Sequence, residues 1–242
     1  MRTPNGGMNG NVGGLDGTGS NVFAPEIGEF DDTSPRATPG EDETMKTGTT
    51  TVGLRTEDGV VLATDMRASM GYMVSSKDVQ KVEEIHPTGA LTIAGSVSAA
   101  QSLISSLKAE VRLYEARRGE HMSMKALSTL TGNFLRSGAF LIVSPILGGV
   151  DDEGSHVYSI DPLGGTTEED YTVTGSGSQF ALGLLEQEYD EEMDIEAAKR
   201  TAARAIKSAV ERDLASGNGI NVAVVTEDGV EITKHKEFDE LL

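Results

Sequence analysis

Gly48 stands before three consecutive threonines, Thr49, Thr50 and Thr51, where a leader rich in Gly, Asn and Asp gives way to alternating apolar sequence. An internal threonine is a poor nucleophile, because its hydroxyl stays protonated near pH 7 and needs an adjacent base. Cleavage between Gly48 and Thr49 would supply one. Thr49 would gain a free α-amino group, with a reference pKa of about 7.7 to 8.0, so the base would sit on the nucleophile's own residue. Gly48 suits such a cut, since without a Cβ it admits the strained turn and close approach that attack by Thr49 Oγ on the preceding carbonyl requires. The competing reading is that β-branched residues simply favour strands.

Residues 1–48 carry scattered apolar residues and no helical or alternating period, the composition of a disordered segment. They are expected to be a propeptide that self-cleavage removes, leaving residues 49–242 as one catalytic domain with a sizeable core. The start of the chain lacks the roughly 7 to 15 residue apolar run of a signal peptide, and no segment approaches the roughly 18 apolar residues of a membrane span. A cytoplasmic protein is therefore expected. The absence of cysteine excludes a disulfide framework, a thiolate metal site and a cysteine nucleophile. A net charge of −19 leaves no basic surplus to neutralise phosphates, which argues against nucleic acid and anionic membranes as partners. It also suits a salty cytosol, where the Debye length falls to about 3 Å at 1 M. His86, His121, His156 and His235 lie far apart and form no HExxH pair, so they read as incidental and no metal is expected. "GSGS" from Gly175 is too short for a dinucleotide loop, and no cofactor is expected.

The elements that must position this chemistry begin with "TTVGLRT" and "VVLATD", two β-rich runs flanking Glu57-Asp58-Gly59 and predicted to form a hairpin. "DVQKVEEI" and "ALTIAG" form a second pair. Helical spacing of Leu103, Leu107 and Tyr114 predicts a helix over 98–118, and Leu127, Leu130 and Phe134 predict another over 123–136. Strands return in "AFLIVSPILGG", "SHVYSID" and "DYTVTG". Helices over 179–188 and 194–214 follow, the second with Asp194 as N-cap, and "INVAVVTEDGVEITK" closes with another hairpin. This order describes an α+β domain, and two antiparallel sheets between two helical layers satisfy it, as do other α+β sandwiches. Within it, Gly95 reads as a strand-to-helix bend, residues 175–178 as a helix entry and 213–217 as a helix exit. Lys81 and Asp65, in adjacent strands, read as a surface ion pair worth about 0 to 1 kcal/mol.

Five segments change these readings together: "TTTVGLRTEDGVVLATDMR", "VQKV", "LTIAGSVSAA", "TGSGSQFALGLLE" and "ERDLASGNGINVAVVT". In order and with similar gaps, they resemble the β-subunit of the 20S proteasome, closest to the archaeal type, over the whole chain after the leader. The resemblance implies an N-terminal nucleophile hydrolase, a four-layer αββα sandwich, acting as a threonine endopeptidase on unfolded proteins. It makes Thr49 the nucleophile, with its α-amine as base through a water. Lys81 falls on the active-site lysine, which favours the neutral amine by like-charge repulsion and stabilises charge developing on Thr49 Oγ, and Asp65 falls on its acidic partner. Gly95 matches the oxyanion-hole donor, and Ser176, Asp213 and Ser216 match the polar residues around the threonine amine. The pocket positions are Ala68, Val79, Ile93 and Val97, which implies cleavage after large apolar residues, with Glu83 and Gln101 near enough to soften that preference. The implied partners are sibling β-subunits in stacked seven-membered rings, α-subunit rings and an AAA-type ATPase. A non-catalytic ring or scaffold subunit is the alternative, though such subunits usually lose the threonine or lysine. A simpler bacterial two-ring peptidase carries its nucleophile almost at the start codon, unlike this chain.

Overall fold

The computed structural model describes residues 48–140 and 142–242, so the expected propeptide, apart from Gly48, lies outside the described residues. The chain runs β1 (Thr50–Thr56), β2 (Gly59–Asp65), β3 (Ala68–Met70), β4 (Met73–Ser76), β5 (Val82–His86), β6 (Gly89–Thr92), α1 (Val97–Arg118) and α2 (Met124–Arg136). It continues through β7 (Ile146–Asp151), β8 (Gly154–Ile160), β9 (Thr166–Glu168), β10 (Tyr171–Gly175), α3 (Ser178–Glu188), α4 (Ile195–Val210), β11 (Ile220–Thr226) and β12 (Gly229–His235). Antiparallel pairing gives two five-stranded sheets, ordered β10-β1-β2-β11-β12 and β5-β6-β7-β8-β9, and a separate β3–β4 hairpin.

Side chains alternate across a strand, and both faces of the first sheet are covered, so its central strands are apolar on both sides. On β2, Val61 and Ala63 pack with Ala181 and Leu185 of α3 and Ala202 and Ile206 of α4. Val60 and Leu62 point the other way, into the layer between the sheets, against Ile146, Val157, Ala223 and Val225. On the far side, Leu91 and Leu147 pack beneath Leu103 and Leu107 of α1 and Leu127 and Leu135 of α2. The result is helix, sheet, sheet, helix, the four-layer αββα sandwich expected from the sequence. Three helices open on side-chain caps: Ser96, Ser123 and Asp194 accept hydrogen bonds from the amides of Ala99, Ala126 and Ala197. Among the described residues no helix is long and apolar enough to cross a membrane.

Several elements differ from the sequence reading. β5 starts at Val82 rather than Asp78, because the segment before it is held by the first sheet: the Val79 amide donates to Met66 O at 3.0 Å, just past the end of β2. The strand expected over "AFLIVSPILGG" starts at Ile146, just after Pro145, which has no amide hydrogen to give a ladder. The last helix stops at Val210, short of Leu214. β3, β4 and β9, of three or four residues each, are too short to show a period and were not expected.

Candidate active site

The site grows from adjacent strand ends in the first sheet. Thr51 and Asn221 both pair with Thr64 of β2, which sets the beginnings of β1 and β11 beside the end of β2, where Asp65 lies. The Asp65 carboxylate is fully buried and takes four hydrogen bonds. Oδ1 accepts from the Thr50 amide at 3.0 Å and from Lys81 Nζ at 2.7 Å; Oδ2 accepts from the amides of Arg67 and Gly217, each at 2.9 Å. A carboxylate offers about four lone-pair sites, and here all are used. This corrects the surface-pair reading of Lys81 and Asp65. They do not lie in adjacent strands: Asp65 ends β2, whereas Lys81 precedes β5 of the opposite sheet, and the pair is buried where the sheets meet.

Lys81 Nζ makes a second contact, donating to Thr49 Oγ1 at 2.9 Å. Burial pushes the Lys81 ammonium below the usual lysine pKa, against the pull of the Asp65 carboxylate. Thr49 Oγ1 in turn donates to Gly48 O at 2.6 Å, on the peptide bond expected to be cut. Gly48 is buried, and a Cβ on it would lie 1.7 Å from Ala215 Cβ, so no larger residue fits.

On the other side of Thr49, its amide donates to Ser176 Oγ at 3.2 Å. Ser176 Oγ donates to Asp213 Oδ2 at 2.5 Å, and Ser216 Oγ donates to the same oxygen at 2.6 Å. The helix entry before α3 and the helix exit after α4 thus meet at the nitrogen of Thr49. Thr50, not singled out from the sequence, joins them through a 2.7 Å contact between its Oγ1 and Ser216 Oγ. Its place in the threonine run is the only signal it carried.

Gly95 has a φ of 117°, and a Cβ there would lie 1.9 Å from Ile142 O. It forms a bridge with Val143 whose hydrogen bonds run from Ser96 N to Ile142 O, 3.0 Å, and from Ser144 N to Ala94 O, 2.9 Å. The N–H of a residue in such a pair points away from its partner strand. Gly95, Thr49 and Lys81 border one cavity of about 350 Å³, and all four expected pocket residues, Ala68, Val79, Ile93 and Val97, line it. Glu83 and Gln101 line it as well, with the Glu83 carboxylate engaged by Gln80 Nε2 at 3.3 Å and Lys108 Nζ at 3.6 Å. Asn221 is a residue the sequence did not flag. Fully buried, it donates through Nδ2 to Val79 O at 3.0 Å and to Thr64 Oγ1 at 3.2 Å, tying the segment that carries Lys81 to the first sheet.

The histidines are not all apart in space. His86 and His121 meet with ring centroids 5.6 Å from each other, which corrects the reading that all four lie far apart. The fold brings the end of β5 to the connection after α1, a proximity that no local motif encodes.

Comparison with known proteins gives the family. The family described as Proteasome subunit matches residues 45–225. A proteasome subunit beta of Haloquadratum walsbyi is 73% identical over 243 residues, covering 100% of both chains. One of Haloferax volcanii is 72% identical over 242 residues, again covering 100% of both. A proteasome subunit beta 2 of Haloterrigena turkmenica is 60% identical over 227 residues, covering 93% of this chain and 95% of its own. With the family matched from before β1 to the penultimate residue of β11, this chain belongs to the proteasome subunit family, among its archaeal β-type members.

Proposed function

We propose that the chain is a threonine endopeptidase of a 20S proteasome core, activated by its own cleavage between Gly48 and Thr49. The observation that carries this reading is the buried contact between Thr49 Oγ1 and Lys81 Nζ, 2.9 Å, at the edge of a cavity whose lining includes the small and apolar Ala68, Val79, Ile93 and Val97. In the precursor, Oγ1 attacks the Gly48 carbonyl carbon and its proton passes to the departing Thr49 nitrogen, which turns the amide into an ester. Breaking that C–N bond frees the α-amine, and water then hydrolyses the ester, releasing residues 1–48 and restoring the Thr49 hydroxyl.

Residues 49–242 are then the catalytic domain. The amine, with a reference pKa of about 7.7 to 8.0, accepts the Thr49 hydroxyl proton through a water as Oγ1 attacks a substrate carbonyl. Lys81 favours the unprotonated amine and stabilises charge on Oγ1, and Asp65 orients Lys81. The Gly95 N–H receives the tetrahedral oxygen, a contribution of about 10²- to 10³-fold in rate for a donor of this kind. Ser176, Asp213 and Ser216 hold the amine in place. The proton returns to the leaving amine of the peptide, and water cleaves the acyl-enzyme ester. Ala68, Val79, Ile93 and Val97 receive a large apolar side chain before the scissile bond.

The reading carries its partners with it: sibling β-subunits in stacked seven-membered rings, α-subunit rings capping the chamber, an AAA-type ATPase that feeds unfolded protein, and a cytoplasmic location. Intact-mass measurement with a peptidase assay tests it. Mature chains should begin at Thr49, and Thr49→Ala should keep its leader and hydrolyse no peptide. Full-length chains that cleave peptides as fast as trimmed ones would overturn it.

A further inference from the structure

Outside the catalytic cavity, the end of β5 holds a buried nitrogen in need of a partner. His86 is 3% exposed, and its Nδ1 accepts the Thr88 amide hydrogen at 3.1 Å. That leaves the ring proton on Nε2, which faces Glu115 Oε1 at 3.9 Å, beyond hydrogen-bond reach. Nε2 has no hydrogen-bond partner among the described residues. Glu115, in the last turn of α1, also meets His121 from the connection to α2, with 2.7 Å between Oε1 and Nδ1. One ligand atom from each of His86, Glu115 and His121 lies within 4.8 Å of the others.

We propose that His86 Nε2, the Glu115 carboxylate and His121 Nδ1 bind one divalent transition cation of the zinc class, with water in the fourth position. The donor set selects the ion: two imidazoles and a carboxylate suit zinc, whereas calcium and magnesium take oxygen ligands. Bonds of about 2.0–2.2 Å in a tetrahedron put ligand atoms roughly 3.4 Å apart, so only small adjustments are needed. Glu115 and His121 supply them, since their side chains are 26% and 70% exposed while His86 is buried. Binding moves the His86 ring proton from Nε2 to Nδ1, and the Thr88 amide gives up its bond there. Thr88 Oγ1, 3.2 Å from Nδ1, receives that proton, and its own hydrogen already goes to Val150 O at 2.6 Å. A histidine ligand oriented by an acceptor on its second nitrogen is the usual arrangement in metal sites. The cation would clip the end of β5 to the end of α1 and to the α1–α2 connection.

The test is titration of the full chain with Co²⁺, followed by its visible absorption, and with Zn²⁺, followed by calorimetry. One cation per chain should bind, and His121→Ala and Glu115→Gln should each weaken binding at least tenfold. Equimolar Zn²⁺ should raise the wild-type melting temperature and EDTA should reverse the rise, while His121→Ala, altered at an exposed position, should melt at the same temperature with either. Binding of equal strength in the variants, as diffuse attraction to the acidic surface would give, overturns the proposal, as does absence of a saturable Co²⁺ signal.

Discussion

Asp65 holds the site together because every lone pair of its carboxylate has a donor, three of them backbone amides from separate segments. Asp65→Asn keeps the shape, turns an NH₂ toward two of those donors and leaves the Lys81 ammonium buried without its counter-charge. Removing one partner of a buried pair costs about 3–5 kcal/mol, and urea unfolding of the variant should show a loss of that order together with loss of self-cleavage. Lys81 itself makes stability depend on pH. Its native pKa is lowered by burial, so between that value and an unfolded value of about 10.4 the unfolded chain binds more protons. The Lys81 contribution to stability therefore rises with pH across that window. Lys81→Met should flatten the rise, which unfolding midpoints measured through the alkaline range would reveal.

At the scale of elements, the bend between β6 and α1 does two jobs that one glycine allows. It crosses to the Val143 bridge with positive φ, and it turns its N–H away from that bridge at the edge of the Thr49 cavity. Gly95→Ala puts a methyl group into Ile142 O and forces the two segments apart. Peptide hydrolysis by the matured variant should fall about 10²-fold or more, the size of one lost oxyanion donor, and its melting temperature should drop as well. An unchanged rate would remove Gly95 from the mechanism. The hairpins and long helices were legible in advance because turn chemistry and period are local properties: Asp-Gly at residues 58–59 and 228–229 marks two turns, and Asp194 caps α4 where expected. β3 and β4 were not, and yet they carry Ala68 to the pocket rim.

Across the whole molecule, 39 acidic residues face 20 Lys and Arg, and most of that excess must repel itself in dilute solution. Salt shortens the reach of this repulsion, from about 10 Å at 0.1 M to about 3 Å at 1 M. The melting temperature should therefore rise with KCl through that range, and ring association should strengthen with it. A melting temperature indifferent to KCl, followed by calorimetry, would mean that the acidic surface imposes no such burden.

Sequence by itself raised Thr49 as a candidate nucleophile, because Gly48 and Thr49 are covalent neighbours and an amine freed between them would lie on the threonine itself, but only the resemblance set this reading above that of an ordinary strand. It determined the order of the main elements for the same reason of locality. Lys81, Asp65, Gly95, Ser176, Asp213 and Ser216 were legible only through resemblance. Tertiary structure alone decided that Lys81 and Asp65 form a buried pair across two sheets, that Asn221 braces the lysine segment, and that His86 faces His121. Those distances come from one sheet packing on the other and helices packing on both, and no run of residues along the chain encodes the separation of side chains that meet only when layers close.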